Sequence, residues 1–250
     1  MKFTQIPTTT FQEIQLNAGI LCKSFTPATG TLSSSDIIGA TSGGINFTAT
    51  PTYLDFGDDI DNCPKNTKEL KKLDAWDVKM SGTFVTVSTD LADTLVGAGD
   101  ATDGADTYAL TSDTAIVAGK TYYTRTGAGT AESPYVYTPV GSPVSTNLST
   151  YYEITAYGTD KVTPRNDVAS SDFKDIWWVG DYSDKNGATN GGFVAIHMLN
   201  GLSTGGFQIQ SGDKAKGNFG FEFTGHYSIS AQDTVPFEVY IKAGTAEPTT

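Results

Sequence analysis

Residues 217–228 have the sequence Gly-Asn-Phe-Gly-Phe-Glu-Phe-Thr-Gly-His-Tyr-Ser, in which Phe219, Phe221 and Phe223 occupy every second position. Successive side chains of a β-strand point to opposite faces, so this spacing puts all three rings on one face of a strand. Apolar residues alternate in a similar way elsewhere, and we predict further strands at 43–56, 74–88, 173–179, 193–199, 206–211 and 235–242. Many half-buried strands predict a mainly β fold with two packed layers, a sandwich or a barrel.

Two of the predicted strands flank a long polar loop. Residues 43–56 and 74–88 alternate strongly, and the loop between them, residues 57–72, is rich in Asp in its first half and in Lys in its second half. This arrangement predicts two long strands joined by a charged loop, a hairpin able to project from the body of the domain.

One α-helix is expected at residues 89–97. Thr89 is a suitable N-cap, and Asp90 is favourable in the first turn because a helix N-terminus carries partial positive charge. The apolar stripe of this helix consists of Leu91, Ala92, Leu95 and Val96. Gly97 is expected to end the helix.

Residues 108–157 differ in character from the rest of the chain and contain two related segments, Lys120-Thr-Tyr-Tyr and Ser149-Thr-Tyr-Tyr. Loop-type residues flank the region on both sides, as a tolerated domain insertion requires. We therefore predict a small all-β insert, stabilised by tyrosines that pack across strands. The main domain is then discontinuous, 1–107 and 158–250, and begins with an N-terminal arm over residues 1–42.

Composition and charge exclude several classes of function. The chain has 250 residues, a net charge of −12 and only 18% charged residues. Nucleic-acid binding and attachment to anionic membranes both need clustered Lys and Arg, which are missing. No secretion signal and no apolar stretch of membrane-spanning length is visible, and Cys22 and Cys63 are expected to be two reduced thiols.

The strongest enzyme-like motif is Gly201-Leu-Ser203-Thr-Gly205, which matches the nucleophile elbow of serine hydrolases and is followed by Asp213 and His226. A nucleophile elbow needs a helix after the serine, whereas the next residues, Phe207-Gln-Ile-Gln, alternate like a strand. A Gly-rich hairpin turn explains the same residues. We therefore expect a protein that is not an enzyme and has no cofactor.

No metal site is predicted from the polar residues. His197 and His226 are the only histidines, and neither has the spacing of metal ligands, so both are interpreted as structural. The acidic residues of the two Asp-rich loops lack the spacing of a calcium-binding loop and are interpreted as solvated; these are Asp55, Asp58, Asp59 and Asp61, and Asp100, Asp103 and Asp106.

Three segments, in their order along the chain, carry a resemblance to a known family. The first is the hairpin Gly43 to Ser88 running into the helix. The second is Phe173-Lys-Asp-Ile-Trp-Trp-Val-Gly-Asp-Tyr followed by Gly192-Phe-Val-Ala-Ile-His-Met-Leu, and the third is residues 217–228. In this order they resemble the major tail-tube proteins of siphophages, the long non-contractile-tailed phages, that infect Gram-positive bacteria. The Tyr-rich insert resembles a small β-module that recurs in phage structural proteins.

The resemblance implies a tail-tube-type β-sandwich or split barrel with one flanking α-helix. It implies hexameric rings that stack through the long loop, forming a conduit for phage DNA. The implied partners are further copies of the chain, the tape measure protein, the tail terminator and the distal tail protein, with transient passage of DNA and no membrane. The implied location is the virion tail, assembled in the host cytoplasm, with the insert on the tube exterior. For the loop 57–72 it suggests seven residues that contact the next ring: Asp58, Asp59, Asp61, Lys65, Lys68, Lys71 and Lys72.

Two other functions remain open from the sequence. Another virion β-protein, a head-decoration or distal-tail component, would share the composition, the turns and the insert. A carbohydrate-binding β-sandwich module would use Tyr and Trp side chains, among them Trp177 and Trp178, as stacking platforms. Because adjacent strand residues face opposite sides, at least one of these two tryptophans is expected in the core.

Overall fold

The computed structural model describes residues 18–181 and 192–242. These residues form one α-helix, α1 (Thr89–Val96), and fourteen strands, so the fold is mainly β, as predicted. The strands are β1 (Ile20–Cys22), β2 (Ile37–Gly39), β3 (Thr41–Asp55), β4 (Lys71–Phe84), β5 (Gly99–Thr102), β6 (Thr107–Leu110), β7 (Tyr123–Thr126), β8 (Val136–Pro139), β9 (Tyr152–Ala156), β10 (Lys161–Pro164), β11 (Lys174–Asp181), β12 (Phe193–Ser203), β13 (Phe219–Thr224) and β14 (Phe237–Lys242). Short 3-10 turns lie at Ser34–Asp36, Lys68–Leu70, Ser145–Thr150 and Ser170–Asp172.

The chain divides into two compact units, and the larger one, residues 1–100 and 163–250, is built from two antiparallel sheets that share strand β12. Sheet 1 has the strand order β2-β1-β11-β12-β14, and sheet 2 has the order β12-β13-β4-β3. The first half of β12 lies between β11 and β14, whereas Leu202 and Ser203 at its end pair with β13. One long strand therefore links the two layers of the predicted sandwich.

The main core combines side chains from both sheets and from α1. Its buried members are Leu21, Ile38, Val78, Met80, Phe84, Leu91, Leu95, Ile176, Met198, Phe219, Phe221 and Phe223. The three alternating phenylalanines of β13 all belong to this core, as their spacing predicts. A second apolar cluster packs Trp177 and Phe193 against Phe25, on the opposite face of sheet 1. Trp178 contacts the main core from the other side of its strand, so both adjacent tryptophans are packed.

The helix lies where the sequence predicts it, but its N-cap is Ser88 and not Thr89. The Ser88 backbone is extended, and its hydroxyl oxygen accepts a hydrogen bond of 3.2 Å from the Leu91 amide. Thr89 is already the first helical residue. Gly97 ends the helix with a φ of 82°, a left-handed conformation that favours glycine, as predicted.

The predicted N-terminal arm is wrong from residue 18 onward, and residues 1–17 lie outside the described part. Residues 20–22 form β1 inside sheet 1, paired with both β11 and β2. Leu21 and Cys22 are fully buried, on opposite faces of that sheet. The strand is three residues long, which is too short for its periodicity to stand out in a Thr-, Ser- and Gly-rich region.

The strand predicted at 206–211 is not formed. Residues 204–218, which we call the 204–218 loop, contain only an isolated bridge between Gln210 and Asn218. Gly206 adopts a left-handed φ of 68°, which interrupts an extended strand before Phe207.

The second compact unit covers residues 101–162 and is wider than the insert predicted at 108–157. The difference arises where the chain passes from one unit to the other, because β5 and β10 pair there as a two-stranded ribbon. Inside the unit, four antiparallel strands have the order β6-β9-β7-β8.

Tyrosines hold the four-stranded sheet of this unit together. The rings of Tyr108 and Tyr137 stack with centroids 3.8 Å apart, although their strands, β6 and β8, lie at opposite edges of the sheet. The sheet must therefore curl strongly, with these rings on its concave side. Tyr123 and Tyr152 complete the cluster through edge-to-face contacts. The tyrosines that distinguish this region in the sequence therefore pack against each other inside the smaller unit.

A polar network supports a second small cluster in the same unit, around the fully buried Tyr122. The Tyr122 hydroxyl donates a 2.7 Å hydrogen bond to Asp113, and the Lys120 ammonium donates one of 2.6 Å to the same carboxylate. Lys120 also forms an ion pair with Glu153 of β9. The hydrogen bonds from Lys120 and then from Tyr122 lower the pKa of the Asp113 carboxyl.

Replacing Phe223 by Ala tests the main core. This side chain is 1% exposed, and its loss leaves a cavity in the core. We therefore expect the free energy of unfolding to fall by about 3–5 kcal/mol. Chemical denaturation followed by tryptophan fluorescence measures the change. Thr50→Val, an exposed site on β3 that keeps the β-branched shape, is the control and should change stability by less than about 0.5 kcal/mol. Equal effects of the two substitutions would contradict the core assignment.

Acidification tests the network of the smaller unit. Because the folded pKa of Asp113 is depressed, its contribution to stability is present above the unfolded Asp pKa of about 4 and is lost as the pH falls through the folded pKa. We expect hydrogen exchange in residues 108–126 to report a weaker unit at pH 3 than at pH 6, after correction for intrinsic rates. Asp113→Asn should flatten this dependence, whereas Asp103→Asn, in an exposed loop, should not.

Candidate functional site

The end of the β3–β4 hairpin has no third strand beside it. Strand β13 pairs with β4 only over residues 79–84, whereas β3 and β4 continue together to Asp55 and Lys71. Beyond Trp76, whose amide donates a 2.9 Å hydrogen bond to the Tyr227 hydroxyl, the two strands pair only with each other among the described residues. The register therefore makes residues 53–73 a two-stranded extension of sheet 2, as the sequence predicted.

This extension exposes large apolar side chains. Five of them are between 42% and 54% exposed: Tyr53, Leu54, Phe56, Ile60 and Leu73, which we call the hairpin patch. Tyr53 pairs directly with Leu73, and the Lys71 ammonium lies 5.4 Å from the centre of the Tyr53 ring. Tyr53 and Leu73 share one face of the hairpin, whereas Leu54 lies on the opposite face, so both faces of this end expose apolar groups. Several exposed apolar groups at one end of a domain are typical of surfaces that bind another molecule.

The hairpin patch is not predicted by the strand pattern, because that pattern places Tyr53, Leu54 and Phe56 in one half-buried strand. The adjacent apolar residues Tyr53 and Leu54 are the sequence feature that indicates exposure of apolar side chains here. Two neighbouring apolar residues in a strand cannot both face one core, and the register shift between Thr52 and Tyr53 marks the same place.

All seven charged residues suggested for ring stacking lie at this hairpin end and are exposed. Asp58, Asp59, Asp61, Lys65 and Lys68 lie in the connection, whereas Lys71 and Lys72 belong to β4. Lys65 lies 3.7 Å from Asp58, and Lys71 donates a 3.1 Å hydrogen bond to Asn66, so part of this charge is used inside the hairpin. Their contact with a neighbouring ring remains a prediction.

Hydrogen bonds to one carboxylate order the connection. Asp55 accepts bonds of 3.0 Å from the amides of Gly57 and Asn66, which ties the two ends of the loop together. Asn62 and Asn66 have left-handed φ values of 60° and 61°, a conformation that asparagine tolerates well. The hairpin patch and the acidic residues are therefore presented on a folded loop.

In sheets 1 and 2, three strands have one edge without a partner among the described residues: β2, β3 and β14. The edge of β3 is the longest, because this strand has 15 residues and pairs only with β4. Near its start, Gly43 and Gly44 both have a φ of 83° and form an irregularity in the pairing. An unpaired strand edge offers amide and carbonyl groups to another chain.

The hydrolase-like motif does not form a nucleophile elbow. Gly201 to Ser203 are the last residues of β12 and not the turn that was predicted, and the Ser203 hydroxyl donates a 2.8 Å hydrogen bond to the Leu95 carbonyl. The following residues run along β13, where the amides of Thr204 and Gly205 bond to Glu222. His226 lies just after β13, and its Nδ1 is 3.2 Å from the Asn200 carbonyl oxygen.

The remaining candidate residues have structural surroundings. His197 stacks on Trp177 at 3.9 Å, with Asp175 3.3 Å from Nε2 and Glu238 3.5 Å from Nδ1. Over the described ranges no group of three or more His, Cys, Asp or Glu side chains is arranged to hold a metal ion. Burial, together with the smaller effect of the Asp36 charge, raises the pKa of the Cys22 thiol to about 12, which makes this thiol unreactive.

Comparison with known proteins adds no family assignment. No protein-family model matches the chain, and a search of curated proteins finds no match. Among the residues that the structure describes, no helix has the length and apolar character needed to cross a membrane.

Proposed function

We propose that this chain is a structural virion protein, the major tail-tube subunit of a long non-contractile-tailed bacteriophage, without enzymatic activity. The proposal combines the resemblance of residues 1–105 and 158–245 with the geometry of the larger unit. In this role, six copies form a ring, stacked rings form a hollow tube, and DNA passes through the tube at ejection.

The long open edge of β3 is the observation that carries the proposal. A strand of 15 residues that has one edge without a partner among residues 18–181 and 192–242 offers a row of backbone groups next to a large apolar core. In a closed ring of identical copies, the edge strand of each subunit can pair with an edge strand of its neighbour, so that no such edge stays unpaired. The open edges of β2 and β14 are the available partners within the chain itself.

The outer face of sheet 2 suits the wall of a conduit. Residues that lie side by side on β3, β4 and β13 on this face are polar, for example Asn46, Ser81 and Glu222, or Thr48, Lys79 and Thr224. No aromatic side chain lies in these sets, and the chain as a whole has a net charge of −12. A polar surface on an acidic protein would repel DNA phosphates and let the polymer slide.

The remaining partners follow from the tube. A tape measure protein would occupy the channel during assembly, and a terminator and a distal tail protein would cap its two ends. The smaller unit, residues 101–162, would lie on the exterior of the tube.

An electron micrograph of the concentrated protein tests this function against the alternatives. A tube subunit should form hollow filaments by itself, whereas a head-decoration protein or a carbohydrate-binding module should not. If the folded protein is seen only as monomers at every concentration tried, the proposal is overturned.

The hairpin patch should be required for stacking. In a Leu54→Ser/Phe56→Ser variant, apolar surface would no longer be buried between rings, so filaments should shorten or disappear while the far-ultraviolet circular dichroism stays the same. Negative-stain microscopy measures filament length. Val168→Ser, which changes a similarly exposed side chain outside the hairpin, is the control and should leave filaments unchanged.

A variant that lacks the smaller unit should still assemble into tubes. A short Gly/Ser linker would join Asp100 to Thr163, which keeps the 2.9 Å ion pair between Asp100 and Arg165 in the larger unit. Microscopy should then show narrower filaments with a smooth outer surface. Insoluble or unassembled protein from this deletion would contradict the proposal that the unit is an independent exterior module.

A further inference from the structure

We infer that the 204–218 loop is the surface that receives the hairpin patch of the next copy of the chain, so that the subunits stack head to tail. This inference rests on the proposed function and adds to it the receiving surface.

The two surfaces lie at opposite ends of sheet 2. Strand β4 runs from the hairpin at Lys71 to Phe84, and Phe84 pairs with Phe219, the first residue of β13. The 204–218 loop, which leads into β13, is therefore at the end remote from the hairpin. Lys216 marks the same end, because its ammonium donates a 3.0 Å hydrogen bond to Ser42 near the start of β3.

The 204–218 loop also exposes apolar side chains. Phe207 is 45% exposed and Ile209 is 61% exposed, while the neighbouring Gln208 side chain donates a 2.7 Å hydrogen bond back to the Gly205 carbonyl. Burying these groups against the hairpin patch removes apolar surface from water on both copies.

The charges of the two surfaces are complementary. Lys214 and Lys216 are exposed in the loop, with only Asp213 opposing them, although the chain as a whole is strongly acidic. The hairpin carries both signs, but Lys65 and Lys68 lie within 4.0 Å of Asp58 and Glu69, and Lys71 donates a hydrogen bond to Asn66. Asp59 and Asp61 are thereby left as acidic groups for which no ion pair within 4.0 Å is found in the described residues, so the complementarity lies in these two carboxylates and not in the net charge of the hairpin. Contact of Asp59 and Asp61 with Lys214 and Lys216 favours an orientation in which the hairpin of one copy meets the loop of the next.

A contact between two different surfaces at opposite ends of a subunit does not close on itself. Each copy that binds leaves one hairpin and one loop free, so addition continues in one direction. This is the symmetry that a stack of rings needs, and it explains why apolar groups are exposed at both ends of sheet 2.

Charge reversal at each end tests the inference with built-in controls. One variant carries Asp59→Lys and Asp61→Lys, and the other carries Lys214→Glu and Lys216→Glu. We expect each alone to need at least about tenfold more protein to form filaments, equivalent to about 1.4 kcal/mol per contact. These variants move the net charge in opposite directions, so a general charge effect cannot weaken both. Mixing them, or combining all four changes in one chain, should restore assembly, because each reversed surface again meets its complement.

Crosslinking gives a second measurement that does not depend on charge. Ser211→Cys places a thiol in the loop, and the native Cys63 lies in the hairpin connection, while Cys22 is buried and unreactive. A short bismaleimide added to filaments should give a ladder of dimers, trimers and longer products, which Cys63→Ser should abolish.

The outcomes separate the two proposals. Filaments that form normally in both charge variants, or that yield no ladder, would overturn the receiving surface and leave the tube function standing. A product that stops at the dimer would indicate symmetric contact and would also overturn it. Wild-type protein that forms no filament would overturn the tube function itself and the inference with it.

Discussion

The edge of β3 that has no partner strand in the described part of the chain is the constraint on which the proposed assembly depends. Buried or half-buried backbone groups need hydrogen-bond partners, and a free edge beside an apolar core is prone to unspecific pairing. Evolution usually shortens, bends or charges such edges. In this chain the strand has 15 residues and is irregular at two places, at Gly43 and Gly44 and between Thr52 and Tyr53, with regular pairing to β4 from Ile45 to Thr52. The length of this edge is what supports the proposal that β3 pairs with another copy of the chain.

The shared strand β12 connects the sheet that contains this edge to the rest of the larger unit. Because β12 belongs to both sheets, the core that holds sheet 1 together also fixes sheet 2 and the hairpin that extends from it. A hairpin anchored in this way can present Tyr53 and Phe56 at a defined position. Presentation on a fixed frame reduces the conformational entropy lost when a neighbour binds.

The sequence predicted the features that depend on local periodicity and missed those that depend on distant contacts. The spacing of Phe219, Phe221 and Phe223 identified a core strand, and Gly97 identified the helix end. Strand β1 was missed, because Leu21 and Cys22 are buried only through pairing with β11, far away in sequence. Phe207 and Ile209 alternate like strand residues, yet Gly206 and the lack of a partner strand leave them exposed in a loop. The hairpin patch was missed for a related reason, since exposure depends on where β13 ends.

The most direct measurement is amide hydrogen exchange along β3, compared between dilute chain and assembled protein. If adjacent copies complete this edge, amides of residues 45–50 that exchange quickly in the dilute chain should become protected by at least about a hundredfold on assembly, equivalent to about 2.7 kcal/mol. Protection that is already complete in the dilute chain, or unchanged exchange in filaments, would contradict the claim that β3 is completed by another subunit.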